Sequence, residues 1–446
     1  MARLFGTDGV RGIANVELTN EIAYRLGQAA VLFLGKTIVV GKDTRLSGEM
    51  LESAMVAGIA SAGGTALIAG VVPTPAVALL VRKLNAAGGA VISASHNPPE
   101  YNGIKLFDSQ GFKLPDSVED EIEAFIKAGG LEARGLENMP QGSDLGFSVN
   151  LNDAAEIYIS HAVTSISDQG ISFEGMTIAL DAGHGASSET SPEALRRLGA
   201  DVHVINDEYD GTDINVECGS THLEPLQDLV AQTGADVGVA HDGDADRVML
   251  VTSQGEEIDG DVMEAVLALD MKDRGILAND TIVTTVMSNL GLKRAMEDAG
   301  ISVVQTKVGD RYVLEEMRAS GFSIGGEQSG HMILLDHNST GDGLMTAVQF
   351  LAAVKRSNKS VDEAIKVMKR FPQVLINVKV KDKHAVEEEQ AVQDAVAAAE
   401  KELAGNGRVL LRASGTEPVI RVMVEAESAE DAQKHAETIA HVVEQY

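Results

Sequence analysis

The sequence predicts a multidomain α/β protein with a C-terminal α+β domain. Short apolar segments alternate with segments of helical periodicity, which is typical of parallel sheets with helices on both faces. The chain has 446 residues, more than one ordinary core accommodates, so two to four domains are expected. After Phe371 the pattern changes to an alternating strand, a long helix and two further strands.

Taken in order, the elements repeat as strand, polar loop and helix. An apolar run predicts a strand at 37–41, and apolar residues at helical spacing predict a helix over 51–62. The unit recurs as a strand at 177–180 with a helix over 191–198, and as strands at 237–240 and 281–285. Residues 128–150 lack periodicity and indicate a boundary. The last region predicts strands at 374–380, 408–411 and 419–424, with a helix over 385–403.

Composition excludes several classes of function. The net charge is −31, which argues against a nucleic-acid surface and is compatible with phosphate binding if cations gather in one cleft. No run of 18 apolar residues is present, and the first residues lack the apolar core of a signal peptide. A single cysteine, Cys218, excludes an internal disulfide. A cytoplasmic protein without membrane insertion is expected.

The most informative segment is Ser-Ala-Ser-His-Asn-Pro at 93–98. It follows the β-prone run 89–92, so it places small polar side chains at the carboxyl edge of a sheet, where α/β enzymes bind ligands. Ser95 is therefore a candidate for carrying a covalent group. The alternative for the segment alone is a polar turn without function.

A second segment, His-Asp-Gly-Asp-Ala-Asp-Arg at 241–247, follows another apolar strand. Asp242, Asp244 and Asp246 cannot lie close together without a cation, and ligands that are all oxygen suit Mg²⁺. An EF-hand is excluded, because the positions that need Gly and Glu hold Arg247 and Ser253. Arg247 could pair with one acid or hold a phosphate. A solvated acidic turn is the alternative.

Three further segments are weaker signals when each is taken alone. In Gly-Gly-Glu-Gln-Ser-Gly-His at 325–331, which follows a strand end at 322–324, Glu327 and Ser329 could bind sugar hydroxyls. In Arg-Ala-Ser-Gly-Thr-Glu-Pro at 412–418, small residues form an anion-binding loop to which two arginines could add contacts. In Phe-Gly-Thr-Asp-Gly-Val-Arg-Gly at 5–12, glycines flank Arg11. A tight turn, a hairpin turn and a flexible terminus are the respective alternatives.

Together, in this order, the five segments resemble the α-D-phosphohexomutase superfamily over essentially the whole chain. The opening segment, the Gly-Glu-Gln-Ser-Gly-His loop and Val-Gly-Asp-Arg-Tyr at 308–312 favour the branch that acts on glucosamine phosphates. Relatives that act on mannose and glucose phosphates typically carry a histidine where this chain has Asp310. The resemblance implies a heart-shaped protein of three α/β domains, at 1–150, 151–255 and 256–370, and an α+β domain at 371–446.

The resemblance also implies a reaction. Glucosamine 6-phosphate and glucosamine 1-phosphate interconvert through glucosamine 1,6-bisphosphate, by phosphoryl transfer from and back to Ser95, as a step towards UDP-N-acetylglucosamine and the cell wall. One Mg²⁺ per subunit and a homodimer are implied. The metal ligands would be Asp242, Asp244, Asp246 and the phosphate on Ser95.

The remaining roles follow from the positions of residues within the family motifs. Lys105 and His331 are candidates for the general base, and His96 for a contact to the phosphoserine. Arg11 and Arg247 would stabilise its charge, and Glu327 and Ser329 would bind sugar hydroxyls. The non-reacting phosphate would be held by Arg412, Ser414, Gly415, Thr416 and Arg421.

Three alternatives stay open. A phosphomannomutase/phosphoglucomutase of the same superfamily would share all five segments. A Mg²⁺-dependent sugar phosphatase would use an aspartate of the Asp-x-Asp pattern as its nucleophile, in place of Ser95. A non-catalytic sensor of sugar phosphates would need neither the three carboxylates nor the serine.

Overall fold

The computed structural model describes residues 3–6, 8–135, 139–382, 385–386, 388–413 and 419–446. The chain folds into two compact units. The larger contains the residues up to Val286 together with Val304–Ile365, and the smaller contains Met287–Val303 and Lys366–Tyr446. Within the described ranges, no helix combines the length and the apolar character needed to cross a bilayer.

The described residues before position 151 form a mixed sheet of seven strands. The strands are β1 (Phe5–Gly6), β2 (Gly9–Ile13), β3 (Thr37–Lys42), β4 (Thr65–Val71), β5 (Gly88–Ile92), β6 (Tyr101–Phe107) and β7 (Phe147–Asn150). Their order is β1-β2-β6-β5-β3-β4-β7. Strands β5, β3, β4 and β7 pair in parallel and the other pairs are antiparallel.

Among the described residues, four α-helices accompany this sheet: α1 (Asn20–Phe33), α2 (Gly48–Ser61), α3 (Thr74–Lys83) and α4 (Asp116–Lys127). Leu26 of α1 and Met55 of α2 are completely buried and belong to one core with Ile38 of β3. Burying apolar side chains of this size is the main force that holds such helices on a sheet.

Residues 151–258, all of them described, form a second mixed sheet. Its strands are β8 (Thr177–Asp181), β9 (Asp201–Ile205), β10 (Val237–His241), β11 (Val248–Thr252) and β12 (Glu257–Ile258), in the order β12-β11-β10-β8-β9. Its helices are α5 (Ala154–Ser167), α6 (Thr190–Arg197) and α7 (Glu224–Thr233). Leu226 and Val230 of α7 pack on Ala179 and Ala240 of the sheet. This packing fixes the end of β10, where the acidic segment begins.

A third sheet has the order β14-β13-β15-β16. The stretch that supplies it, 259–370, is described without gaps. Its strands are β13 (Thr281–Thr285), β14 (Ser302–Thr306), β15 (Ile324–Gly326) and β16 (Met332–Leu334). The helices in this stretch are α8 (Gly260–Asp273), α9 (Leu290–Asp298), α10 (Asp310–Ser320), α11 (Gly343–Ser357) and α12 (Val361–Ala364). Helix α9 belongs to the smaller unit.

The described residues of the smaller unit also form an antiparallel sheet, in the order β17-β19-β18. Its strands are β17 (Gln373–Lys379), β18 (Gly407–Ala413) and β19 (Val419–Ala426), and its helices are α13 (Gln390–Leu403) and α14 (Ala429–Val443). Val422 and Val424 of β19 share a core with Ala436 and Ile439 of α14. Together the sheets confirm the predicted class of α/β domains followed by an α+β domain.

Three local predictions were wrong. The helix predicted as continuous from about position 385 is interrupted: residues 385 and 386 are helical, but Glu389 has extended backbone angles and the long helix begins at Gln390; residues 383, 384 and 387 lie outside the described ranges. Strand β15 includes both glycines that were expected to follow its end, since Gly325 pairs with Val283 and Ile333. The aperiodic segment 128–150 ends in a strand, β7, which pairs in parallel with β4.

Candidate active site

Ser95 lies in the loop between β5 and β6 and faces the acidic segment of the second sheet. Its side chain is buried, and its Oγ donates a hydrogen bond to Asp242 Oδ2 at 2.7 Å. His96 Nδ1 lies 3.2 Å from the same Oγ. The loop therefore brings together three residues that the sequence predicted, although Ser95 and Asp242 are 147 positions apart.

Asp242, Asp244 and Asp246 follow β10, and each offers an oxygen atom within 4.8 Å of those of the other two. All three side chains are buried. Asp244 Oδ1 and Asp246 Oδ1 have no hydrogen-bond partner among the described residues. Buried carboxylate oxygens without partners are costly unless a cation binds them. The donor set consists of oxygen alone, so the residues fit a hard divalent cation such as Mg²⁺.

Burial and neighbouring charges shift the pKa values of these carboxyl groups strongly. Burial raises the pKa of Asp242 well above its usual value, and the neighbouring Asp246 and Asp244 raise it further. Burial also acts to raise the pKa of Asp246, but the Lys105 ammonium, followed by His331 and Arg247, lowers it to about 2. A cluster with such opposed shifts is characteristic of functional sites.

Lys105 in β6 is buried against the acidic segment. Its Nζ lies 2.9 Å from Asp244 Oδ2, 3.2 Å from Asp246 Oδ2 and 3.0 Å from Asp8 Oδ2. Burial alone would lower the pKa of Lys105, but these carboxylates raise it well above its usual value. In this arrangement Lys105 is a protonated counter-ion of the cluster.

His331 approaches the same cluster from the third sheet. Its Nε2 lies 3.7 Å from Asp310 Oδ2 and 3.9 Å from Asp246 Oδ2. Neither ring nitrogen has a hydrogen-bond partner within the described part of the chain, and the residue is 2% exposed. Gly341 makes room for it, because a Cβ there would lie 2.3 Å from Nε2.

A cavity of about 470 Å³ opens beside these residues. Among the described residues it is lined by Arg3, Leu4, Gly6, Asp8, Gly9, Arg11, His96, Lys113, Asp246, Arg247, Val308, Gly309, Asp310, Glu327 and His331. Its volume is within the usual range for a small-molecule site. Glu327 Oε1 accepts a hydrogen bond from Gly309 N at 3.0 Å. Ser329 is exposed and is not among the described lining residues.

Arg11 and Arg247, the arginines predicted to stabilise the charge of the phosphoserine, both line this cavity. Arg11 forms an ion pair with Asp8, and its Nη1 lies 3.5 Å from Asn97 Oδ1. Arg247 Nε lies 3.9 Å from Asp246 Oδ1. Burial lowers the pKa of His96 to about 4, with Arg247 and Arg11 contributing. His96 is thus a neutral ring beside two guanidinium groups.

Arg412 and Arg421 belong to the smaller unit, where they stand directly opposite each other on β18 and β19. Burial, followed by the Arg421 charge, lowers the pKa of Arg412. Like charges placed opposite each other destabilise a sheet, and a bound anion relieves the repulsion. Ser414, Gly415 and Thr416 lie outside the described residues.

Sequence reasoning missed several residues of the site. Thr74 Oγ1, at the start of α3, donates to Asp244 Oδ2 at 2.6 Å. Lys113 forms ion pairs with Asp8 and Asp310. Asp8 lies within the segment 5–12, directly before Gly9, and could have been chosen there as the acidic residue of that segment. Nothing in the sequence around Thr74 or Lys113 indicates these contacts.

The fold and the site together define a multidomain α/β enzyme of phosphoryl transfer. Four parts of the chain match a phosphoglucomutase/phosphomannomutase family: residues 2–132 match its alpha/beta/alpha domain I, 156–255 domain II, 259–371 domain III and 375–442 its C-terminal domain. The chain belongs to this family. It is therefore an isomerase that relocates a phosphoryl group on a hexose phosphate, as the resemblance in sequence implied.

Curated relatives extend the comparison to whole proteins. A phosphoglucosamine mutase of Clostridium perfringens (strain SM101 / Type A) is 52% identical over 453 residues, which cover 100% of this chain and 99% of the relative. A phosphoglucosamine mutase of Rhodococcus opacus (strain B4) is 51% identical and covers 99% of both chains. One of Carboxydothermus hydrogenoformans is 49% identical and covers 100% of both.

Solved structures share the fold. A phosphoglucomutase/phosphomannomutase family protein from Burkholderia thailandensis aligns with a TM-score of 0.80 at 23% identity, covering 99% of this chain and 98% of that one. The N-acetylphosphoglucosamine mutase of Aspergillus fumigatus, in complex with GlcNAc-6P and magnesium, aligns with a TM-score of 0.71 at 17% identity, covering 99% and 95%.

Proposed function

We propose that the protein is a phosphoglucosamine mutase, which interconverts glucosamine 6-phosphate and glucosamine 1-phosphate. Relatives that carry this name are 49–52% identical over full length, which supports the substrate. The observation that carries the chemistry is the 2.7 Å contact between Ser95 Oγ and Asp242 within a buried cluster of three carboxylates. A serine at this position serves as the phosphate carrier.

The reaction consists of two transfers. In the first, the P–Oγ bond of phosphoserine 95 breaks and a bond from phosphorus to O1 of glucosamine 6-phosphate forms. The O1 proton passes to a general base, and Ser95 Oγ regains a proton. The product, glucosamine 1,6-bisphosphate, turns over within the site. In the second, the P–O6 bond breaks and a bond from phosphorus to Ser95 Oγ forms, while the Oγ proton passes to the base and O6 takes a proton, so that glucosamine 1-phosphate leaves and phosphoserine is restored.

Mg²⁺, one per subunit, is the proposed cofactor, held by Asp242, Asp244, Asp246 and an oxygen of the Ser95 phosphate. When bound, such an ion supplies charge neutralisation to the transferring phosphoryl group. Thr74 and Lys105 orient the Asp244 carboxylate through its Oδ2, which leaves Oδ1 for the ion. Arg11 and Arg247 line the cavity and stabilise the phosphate charge.

His331 is the proposed general base. It lines the cavity with both ring nitrogens free of hydrogen bonds to described residues, whereas Lys105 is not a described lining residue and is engaged by three carboxylates. Glu327 is the proposed contact to sugar hydroxyls, with Ser329 assigned the same role from its motif alone. Arg412 and Arg421, with Ser414, Gly415 and Thr416, are assigned to the non-reacting phosphate.

Intact mass and activity of Ser95→Ala test the phosphate carrier. The purified protein is expected to carry one phosphate that Ser95→Ala lacks, and the variant is expected to lose mutase activity. Ser109→Ala is the control and is expected to keep the phosphate, because Ser109 is exposed and is not among the described residues that line the cavity. Full activity of Ser95→Ala would exclude this mechanism and favour a phosphatase-like nucleophile such as Asp242 or Asp244.

The substrate is tested separately by a coupled assay with a sugar bisphosphate primer and Mg²⁺. Glucosamine phosphate is expected to turn over faster than glucose or mannose phosphate. Faster turnover of mannose or glucose phosphate would instead identify a phosphomannomutase/phosphoglucomutase. The proposed role is to supply UDP-N-acetylglucosamine for the cell wall from the cytoplasm.

A homodimer is part of the proposal. Strand β7 is the edge of the first sheet, and around it Leu145, Phe147 and Val149 are 52%, 62% and 41% exposed. An exposed apolar edge strand favours pairing with a second copy. Light scattering of Phe147→Lys is expected to show monomers, while Val16→Lys, at an apolar residue outside this edge, remains dimeric. A monomeric native protein would exclude the dimer.

A further inference from the structure

The backbone of Ser95 adopts a conformation that its side chain disfavours. Its φ is +53°, in the left-handed region that residues with a Cβ rarely adopt. Half of the twelve described residues other than glycine with positive φ are Asn, which tolerates this region better. Such a conformation persists at a functional residue only when the surrounding structure holds it.

Three hydrogen bonds hold the two peptide groups around Ser95. Arg45 Nη2 and Asn215 Nδ2 each donate to the Ser95 carbonyl at 2.9 Å. The Ser95 amide donates to Ser93 Oγ at 2.9 Å. Both groups are therefore satisfied by side chains and not by strand pairing.

Arg45 spans the whole serine loop. Its guanidinium is completely buried and also donates to the carbonyls of Asn97, Pro98 and Tyr101. Its Nε donates to Asp43 Oδ2 at 2.9 Å. Asp43 Oδ2 in turn accepts from Ser93 Oγ at 2.6 Å. The side chains of Arg45, Asp43 and Ser93 thus form a closed hydrogen-bonded ring with the backbone of Ser95. The rigid fork of arginine suits this arrangement, and lysine could not reproduce it.

Asn215 reaches the same loop from the part of the chain that carries the three aspartates. Asn215 follows β9 in the chain. Its backbone N–H donates to the carbonyl of Gly183, just after β8, at 3.0 Å, while its side chain binds Ser95. Gly243, between Asp242 and Asp244, packs directly on this junction: a Cβ there would lie 2.8 Å from Ser95 O and 2.9 Å from Asn215 Nδ2. The serine carbonyl is thus tied to the sheet that presents the carboxylates.

We propose that Arg45 and Asn215 are positioning residues that hold Ser95 in the left-handed conformation, so that its Oγ faces Asp242 in register with the carboxylate cluster. The inference rests on the proposed role of Ser95 as the phosphate carrier. Neither residue is among the described residues that line the cavity, so they act on the transfer step and leave sugar binding unchanged. A misplacement of about 1 Å at a reacting atom lowers a rate by about 100-fold.

The test compares two asparagines of one segment. Asn215→Gly removes the amide that reaches Ser95 while glycine keeps the positive φ of +60°. Asn206→Gly is the matched control, because Asn206 also has a positive φ and its amide binds Asp181 instead of the serine loop. The full-length protein is used, and phosphoryl transfer from sugar bisphosphate to dephosphorylated Ser95 is followed in single turnovers by intact mass.

Asn215→Gly is expected to slow this transfer by about 10- to 100-fold and to leave the KM for the sugar monophosphate within about twofold. Asn206→Gly is expected to stay within about threefold of the native rate. Equal rates for the two variants would overturn the inference, as would a loss confined to KM.

Arg45→Lys gives a second, independent measurement. It keeps a positive charge beside Asp43 but cannot reach four carbonyls, so a larger loss of transfer rate than in Asn215→Gly is expected, with the phosphoserine still confined to Ser95. A native transfer rate in Arg45→Lys would contradict the inference. Absence of any phosphate on the native protein would instead refute the proposed function itself.

Discussion

At the scale of single residues, the His331 ring is held in position by packing and not by hydrogen bonds to described residues. Its nitrogens have no described hydrogen-bond partners, and Gly341 lies against its face. Gly341→Ala would place a Cβ 2.3–2.5 Å from three ring atoms, so the ring must move. We expect kcat to fall by about 100-fold if His331 is the base, and the free energy of unfolding to fall by about 1–3 kcal/mol.

Kinetics and urea unfolding of Gly341→Ala check this prediction. Gly48→Ala is the control, because the nearest atom to its added Cβ is Lys42 Cδ at 3.4 Å, an ordinary contact. The control should keep native kcat. A native kcat in Gly341→Ala would show that the position of His331 is not critical for the transfer.

Cys218 is a cysteine whose buried environment makes its thiol unreactive. It is the single cysteine of the chain and is 2% exposed. Burial, followed by the charges of Asp181 and Asp213, raises the pKa of its thiol to about 12. At pH 8 the thiolate fraction is then about one in ten thousand, and the thiolate is the reactive form.

Iodoacetamide at pH 8 is therefore expected to leave the native protein unlabelled for hours, as measured by intact mass. The same reagent in denaturant should add one label rapidly, because the unfolded thiol has an ordinary pKa. Labelling of the native protein within minutes would mean that Cys218 is accessible and ionised.

At the scale of elements, β18 and β19 share an ion pair whose acid is fully buried. Arg408 Nε donates to Glu425 Oε2 at 2.6 Å, and Leu290 N at the start of α9 donates to the same oxygen at 3.0 Å. The Glu425 side chain is 0% exposed. Arg408→Met would leave that carboxylate without its counter-ion. We expect the smaller unit to lose about 3 kcal/mol of stability.

Native-state hydrogen exchange of the β19 amides measures this loss. Lys434→Met is the control, since Lys434 and Glu402 form a pair at 3.3 Å in which both side chains are more than 60% exposed. An exposed pair of this kind contributes less than about 1 kcal/mol. Equal exchange in the two variants would indicate that Glu425 finds another partner.

The elements also show how far the sequence alone could be read. Strand β3 was predicted because it is a short apolar run, and helix α2 because its apolar residues recur at helical spacing. Strand β7 was missed because all four of its residues are exposed, so it carries no burial pattern, and only its pairing with β4 makes it a strand.

Some residues of the candidate site could likewise be predicted from local sequence patterns, and others could not. Ser95 and the three aspartates stand out because polar residues interrupt apolar strands. Arg45 and Asn215 do not, because their contacts join side chains to carbonyl groups 50 and 120 positions away. Such contacts depend on how loops pack, and no local pattern records them.

At the scale of the whole molecule, the net charge is −31, and the described residues that line the cavity carry no excess of positive charge. The described lining contains four cations, Arg3, Arg11, Lys113 and Arg247, and four acids, Asp8, Asp246, Asp310 and Glu327. The cations expected in one cleft are thus matched by acids there. An anionic substrate that approaches the protein meets a repulsive field until it is close to the site.

Salt should therefore assist this enzyme. Raising the ionic strength from 0.01 to 0.15 M shortens the Debye length from about 30 to about 8 Å, which screens the distant charges while contacts within the cavity persist. With free Mg²⁺ held constant, we expect kcat/KM for the sugar phosphate to rise by about two- to fivefold and kcat at saturation to stay unchanged. A fall in kcat/KM would mean that the cavity cations attract the substrate more strongly than the acidic surface repels it.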